Sequence, residues 1–401
     1  MENNYPYASP FYAGQMLKPP HAIARMAYAF AQQINPNNHA LDGGRESSKM
    51  EIEAVAEIAD MFGWKSHLGH LTGGGTMANL EALWIAGSIH PDKKIVASQA
   101  AHYTHERITS VLKIPYESIP NRMDKPVLDV ERLEDMLRAG GIGTIVVTAG
   151  TTGTGHVEPV DEVVKLAQKY NARVHVDAAY GGYFRLVQFE EESIQQAFNA
   201  ITQADSIVID PHKHGLQPYG CGCVLFKDPS VGKFYLHDSP YTYFTSEDLH
   251  LGEITLECSR PGAAAVALWV TQKRFPLSNH GEMAAGLTHC IQAAKALYSG
   301  LESTGNWILP FRPELDILVY APRAKTTSEI SKLSEIVFDK AAELGLHLAL
   351  YKMNSKYLAN DEIERDSETV TCLRSTLMKW SHLAYIPEIQ KLLEQALVQN
   401  S

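Results

Sequence analysis

Cysteine is scarce in this 401-residue chain: there are five, an odd number. That is too sparse for a disulfide scaffold and fits reduced thiols. Cys221 and Cys223 stand one residue apart in GCGCVLF, but no second cysteine pair follows to complete a four-ligand zinc site. Long apolar runs are absent too. No stretch approaches the roughly 20 residues that span a bilayer, and MENNYPYASP lacks the basic patch and apolar run of a secretory signal. Positive charge is in deficit, with 35 lysines and arginines against 46 aspartates and glutamates and a formal net charge of −11. That balance argues against general binding to nucleic acid or to anionic membranes. Seventeen histidines invite a metal reading, above all in HYTHE at 102–106, yet the His-Glu-x-x-His helix is missing. No metal is expected, and the expected compartment is the cytoplasm.

What is present describes an ordinary globular protein. Hydrophobic residues make up 45% and charged residues 20%, and the length suits two or three domains with a sizeable core. No internal repeat or low-complexity tract interrupts the chain. Residues 1–50 read as an arm and a helix, in which Ile23, Met26, Ala27, Phe30 and Ile34 recur near the helical period. Ser48 and Glu51 have the spacing of a capping box ahead of an amphipathic helix that Gly63 ends. From 64 to about 230, short β-branched runs alternate with helical stretches. The runs are IVAS (95–98), TIVVTAG (144–150), VHVDAA (174–179), SIVID (206–210) and CVLFK (223–227). That alternation predicts an α/β fold, a mostly parallel sheet covered by helices. A large domain over 51–285 is expected, followed by a smaller α+β domain over 286–401.

In open parallel sheets, ligands bind beyond the carboxyl ends of the strands, and four features fall there. In LTGGGTMANLEAL (71–83), Gly73, Gly74 and Gly75 let backbone N–H groups approach an anion, and the helix starting near Thr76 adds its positive end. A plain glycine-rich helix start has the same composition, and neither the dinucleotide fingerprint nor the P-loop is there. Asp177 closes the strand VHVD, where a carboxylate is costly unless a cation or hydrogen-bond donor meets it. Small residues around it leave room for a flat ligand; a helix N-cap or turn aspartate is the plainer alternative. Lys213, in SIVIDPHKHG, follows a buried strand between His212 and His214, which suits an inward, reactive amine as against a solvated loop lysine. His102 follows IVAS and precedes a helix, where a capping histidine is the competing reading.

Taken in order, TGGGTMANL, ASQAAHYTHER, HVDAAYGG and DPHKHG resemble the group II pyridoxal-phosphate-dependent amino acid decarboxylases, which include glutamate, aromatic amino acid, tyrosine and aspartate decarboxylases. The likeness runs over roughly residues 10–380, in the compact form of bacterial and archaeal members. HVDAA followed by a His-Lys pair is its specific part. The resemblance implies a fold-type-I scaffold with pyridoxal 5'-phosphate as cofactor. It implies that Lys213 carries the cofactor as a Schiff base and that Asp177 pairs with the pyridine nitrogen. His102 and Ala179 would flank the ring, Gly75, Thr76 and His212 would hold the phosphate, and Thr151 or Thr152 would lie near the ring hydroxyl. Arg374, in CLRSTLM, would meet the substrate α-carboxylate, although a salt-bridged strand arginine reads the same. In HDSPYTYFTSEDLHLGE (237–253), Tyr241 or, preferably, Tyr243 would return a proton to Cα. The implied reaction converts an L-amino acid to its amine and CO2 in a homodimer with shared sites. The alternative is another fold-type-I lyase or transferase, such as an aldehyde synthase or a carbon–carbon lyase. Which amino acid is consumed is not written in these motifs.

Overall fold

The computed structural model describes residues 3–39, 41–236, 254–358 and 362–398. Its centre is a seven-stranded sheet built from β1 (Leu68–Thr72), β2 (Lys94–Ser98), β3 (Tyr116–Ile119), β4 (Ile142–Thr148), β5 (Arg173–Asp177), β6 (Ser206–Ile209) and β7 (Gly222–Phe226). Their spatial order is β1-β7-β6-β5-β4-β2-β3, and only β7 runs antiparallel to its neighbours. The five strands expected from apolar runs are all present. β1 and β3 add to them: β1 carries Gly69 and His70, and β3 is an edge strand with two exposed residues, so neither presents an apolar run.

Why a parallel sheet forms is plain in β4, where all seven residues are buried. Such a strand needs helices on both faces, and the crossovers supply them. The register then matters for function. Thr148 of β4 pairs with Asp177 of β5, and Asp177 with Val208 of β6. The carboxyl ends of three adjacent strands therefore finish side by side.

Four helices bear on the site or on its support: α1 (Ala22–Ala31), α2 (Arg45–Met61), α3 (Gly75–Ile89) and α4 (Thr104–Leu112). The expected capping box at Ser48 and Glu51 is corrected by the structure. α2 begins at Arg45 after Gly44, so both residues lie inside the helix and are buried. Ser48 Oγ has no hydrogen-bond partner among the described residues. Glu51 instead pairs with the Arg260 guanidinium, accepts from the Asn38 amide, and accepts the Leu71 N–H at 3.0 Å. Arg260 Nη1 also donates to the Leu71 carbonyl at 2.8 Å. Spacing alone suggested a local cap, but the carboxylate is used over distances of 13 to 209 residues along the chain.

The smaller unit holds an antiparallel sheet of β8 (Trp307–Ile308), β9 (Ile317–Pro322), β10 (Ala349–Asn354) and β11 (Thr369–Thr376), in the order β10-β11-β9-β8. The helix Glu282–Thr304 joins the two cores. Met283 and Leu287 pack in the large one, Leu297 and Leu301 in the small one. The division proposed between residues 285 and 286 falls on this shared helix.

Removing one partner of a buried ion pair leaves the other charge uncompensated, which costs about 3–5 kcal/mol. Glu51→Ala is therefore expected to lower unfolding stability by about that much in urea titrations, well beyond the roughly 1 kcal/mol of a lost helix cap. A loss of only cap size would show that the Glu51–Arg260 pair does not brace β1.

Candidate active site

The strand ends and the start of α3 enclose a cavity of about 560 Å³. Among its lining residues are Gly75, Thr76, His102, Thr152, Asp177, Ala179, His212 and Lys213. Eight positions singled out from separate motifs thus meet in one place. Thr151 does not join them: it is buried, and its hydroxyl lies 3.0 Å from Thr154 Oγ1 and accepts the His156 N–H at 3.1 Å. Of the two threonines, Thr152 lines this cavity. Arg374 borders a second, adjoining cavity and donates to the Thr152 carbonyl at 3.3 Å. Tyr241 and Tyr243 lie outside the described residues.

Asp177 is the most firmly held of the set. Its Oδ2 accepts from His105 Nε2 at 2.9 Å and from Asn79 Nδ2 at 3.3 Å, and its Oδ1 accepts the Ala179 N–H at 3.1 Å. Asn79 is oriented in turn, because its Oδ1 accepts from His175 Nε2 at 2.8 Å while His175 Nδ1 sits 2.9 Å from Ser206 Oγ. Burial pushes the Asp177 carboxyl upward. The His105 hydrogen bond and the electrostatic pull of His105 and Lys213 outweigh that and hold it well below the ordinary carboxylate range. Burial also lowers His175, to about 3. A neutral His175 fits its role as an Nε2–H donor to Asn79.

Lys213 Nζ lies 3.2 Å from Asp210 Oδ2, an ion pair at the cavity wall. His212 donates from Nδ1 to the Cys221 carbonyl at 2.9 Å, which turns Nε2 towards the same Asp210 oxygen at 3.5 Å. His102 is half-buried. Its Nδ1 accepts the Thr104 N–H at 3.3 Å and lies 2.8 Å from the Thr104 hydroxyl. Burial lowers the His102 pKa, so the neutral ring carries its proton on Nε2.

Close packing and an unusual backbone conformation account for the glycines at the start of α3. Gly74 has φ +145°, a conformation that side chains resist, and as N-cap it offers no side-chain acceptor. A Cβ on Gly75 would stand 2.6 Å from Asp210 Oδ2, and one on Gly222 would stand 2.5 Å from the Gly74 carbonyl carbon. The helix's first N–H groups are therefore left for an anion at the positive end of its dipole. An anion cradle, an ionised carboxylate and a primary amine in one cavity match the three polar ends of pyridoxal phosphate: its phosphate, its pyridine nitrogen and its aldehyde.

Sequence reasoning missed several residues that shape this site. His105 was in view within HYTHE, three residues past His102 and hence on the same side of the chain as α4 begins. Asn79 stands four residues into α3 from Gly75, one helical turn on. Asp210 sat inside DPHKHG. Glu257, whose Oε2 accepts the Gly73 N–H at 2.8 Å, has no local signal.

Comparison with known proteins agrees with this geometry. A family model described as the pyridoxal-dependent decarboxylase conserved domain matches residues 10–321. The chain therefore belongs to that family, lyases that release CO2 from an amino acid with pyridoxal 5'-phosphate as cofactor. It is 26% identical to an L-tyrosine decarboxylase of Enterococcus faecium, over 82% of this chain and 72% of the relative. It is also 26% identical to a probable L-tyrosine/L-aspartate decarboxylase of Methanothermobacter thermautotrophicus, over 84% and 88%. In fold it resembles Oryza sativa TDC solved with PLP and tryptamine, with a TM-score of 0.84 over 98% of this chain and 84% of that one, at 17% identity. The expected fold-type-I scaffold is thus borne out. The aldehyde synthase or carbon–carbon lyase alternative is not favoured.

Because its folded pKa is depressed, Asp177 contributes stability above its unfolded value and loses it only as pH falls through the folded one. It stays ionised across the working range. Asp177→Asn is expected to keep the fold by circular dichroism and lose activity by on the order of 10²-fold or more. Near-normal turnover by this variant, once loaded with cofactor, would remove the carboxylate from the mechanism.

Proposed function

We propose that Lys213 binds the cofactor covalently and that Asp177 acts as the partner of its pyridine nitrogen. The observation that carries this reading is the placing of the Lys213 amine and the firmly held Asp177 carboxylate in one cavity, beside an uncapped helix start. Pyridoxal phosphate, when bound, supplies the electron sink for the pair left behind as CO2 departs. The chain's part is orientation, since geometry decides which bond to Cα breaks. The N–H groups of Gly75 and Thr76 and the His212 ring would hold the phosphate. His102, steadied by Thr104, would cover one face of the ring and Ala179 the other, with Thr152 near the ring hydroxyl. Asp177 would accept the ring N–H, and the His105 and Asn79 hydrogen bonds keep its carboxylate ionised. Arg374 would take the α-carboxylate, and Tyr243, or else Tyr241, would return a proton to Cα. From the names of the relatives, a phenol and a carboxylate are the two side chains to weigh for the substrate.

Reduction of the holoenzyme with borohydride should trap the cofactor on Lys213, read by peptide mapping. Label on another lysine would sink the assignment.

The working unit proposed is a cytoplasmic homodimer. Met26 and Phe30 of α1, and Ile34 just beyond its end, all from the expected apolar helix face, are 72%, 74% and 81% exposed in the single chain. Burying such side chains is worth about 1.5–3 kcal/mol each. Tyr103 and Tyr219 touch the His102 and His212 rings, with centroids 4.4 and 4.8 Å apart, yet both remain exposed at the mouth of the site. A second subunit would cover both surfaces. Sedimentation should give twice the chain mass, and Phe30→Asp should shift it toward monomer with loss of activity. An active monomer would contradict the shared site.

A further inference from the structure

Asp316 stands immediately before β9 of the smaller sheet and is fully buried. Its side chain reaches across to the turns of the large sheet. Oδ1 accepts the Tyr180 hydroxyl at 2.7 Å, and Oδ2 lies 3.3 Å from His214 Nε2. Tyr180 follows Ala179 and lines the cofactor cavity, and His214 follows Lys213. The two rings also meet edge to face, with centroids 4.8 Å apart, and Phe184 packs on His214 at the same distance. Asp316 itself does not line the cavity. It holds the neighbours of two residues that do, on two different turns.

Packing alone does not call for a carboxylate here. A buried charge is costly, and neither Asp316 Oδ2 nor either ring nitrogen of His214 has a hydrogen-bond partner among the described residues. An asparagine could accept the Tyr180 hydroxyl with no charge to bury. What ionisation adds is strength, since a hydrogen bond to a charged acceptor is roughly twice as strong as a neutral one. Four groups face Asp316: Tyr180 from the turn after β5, His214 from the turn after β6, Lys18 of the N-terminal arm, and Cys290 of the helix Glu282–Thr304. Lys18 is the cation among them, and its Nζ donates to the Met378 carbonyl at 3.1 Å. Burial keeps the Tyr180 phenol and the Cys290 thiol protonated and the His214 ring neutral. Burial also pushes the Asp316 carboxyl up to about 6, against the pull of the Tyr180 hydrogen bond and of Lys18.

Resting on the decarboxylase reading above, we propose that Asp316, in its ionised form, is a positioning residue for the cofactor site: it fixes the cavity wall beside Ala179 through Tyr180, and the turn that carries Lys213 through His214. The smaller unit thereby helps to seat the cofactor without touching it. Protonation of Asp316 loosens the hold on Tyr180, so the effect is present above about pH 6 and fades below it.

The test measures the dissociation constant of pyridoxal phosphate by absorbance, for wild type, Asp316→Asn, Tyr180→Phe and the double variant, between about pH 5 and pH 8. Circular dichroism checks the fold of each. At pH 8, Asp316→Asn should bind the cofactor on the order of tenfold more weakly than wild type, the difference between a charged and a neutral hydrogen bond. Near pH 5, where position 316 is uncharged in both proteins, that ratio should fall toward one. Titration of the phosphate is common to both and cancels. Tyr180→Phe, which removes one oxygen and leaves the carboxylate, should show a loss that likewise shrinks toward pH 5, and it carries the test if Asp316→Asn does not fold. The double variant should lose less than the two single losses multiplied, because they share one hydrogen bond. Ratios that stay constant across the pH range mark a merely structural role and overturn the proposal, as do fully multiplicative losses; the decarboxylase reading stands in both cases. A wild-type protein that takes up no pyridoxal phosphate overturns that reading and the proposal together.

Discussion

A carboxylate with 4% of its surface exposed must be met by donors or it will take up a proton. Asp177 is met by three, and the rest of the site is arranged around that fact. His105 comes from the first turn of α4, Asn79 from α3, and the Ala179 N–H from the turn just beyond β5. Each of these elements also presents a residue to the cavity: His102 just before α4, Gly75 and Thr76 at the head of α3, and Ala179 itself. Holding Asp177 ionised and placing the cavity walls are one packing problem with one solution. The network extends through Asn79 to His175 and Ser206, which ties β5 to β6 and so to the turn that bears Lys213.

The second support lies under the glycine loop. Glu51 and Arg260 clasp the Leu71 backbone from both sides, immediately before Gly73–Gly75. β7 closes in from the far side, with Gly222 pressed against Gly74. A loop made of three glycines carries maximal backbone freedom. Bracing it on three sides lets the chain keep small residues where a phosphate needs close approach without surrendering a defined geometry.

Charge is sorted along the same lines. The cofactor cavity is mixed in sign, with Lys213 held against Asp210. The neighbouring cavity is cationic and lies against β10 and β11 of the smaller sheet. Reaction chemistry thus belongs to the parallel sheet and, on the proposed reading, recognition of the amino acid to the small domain. The boundary between them is drawn by His102 and Thr152, which border both spaces.

Much of this was legible before any coordinates. Apolar runs such as TIVVT and VHVD, alternating with helical stretches, read as buried strands, and a polar residue at or just past the end of one made Asp177 and Lys213 candidates by position, beside the plainer readings of a turn aspartate and a loop lysine. Glycines ahead of a helix and a histidine after a strand became candidates in the same way. Other features could not be read that way. Glu51 matched a capping box in spacing and became the partner of Arg260, 209 residues on. His105 and Asn79 serve a carboxylate 72 and 98 residues away. Thr151 and Thr152 are neighbours whose hydroxyls part company, and Arg374 opens onto a cavity of its own. The sequence by itself determined most strands of the large sheet and their polar ends, because burial and backbone conformation are enforced residue by residue, and the class of chemistry followed from the resemblance of its motifs to a known family. Only the tertiary structure decided which donors answer which charges, because a buried charge is satisfied by whatever the fold brings within about 3 Å, and no local spacing encodes that.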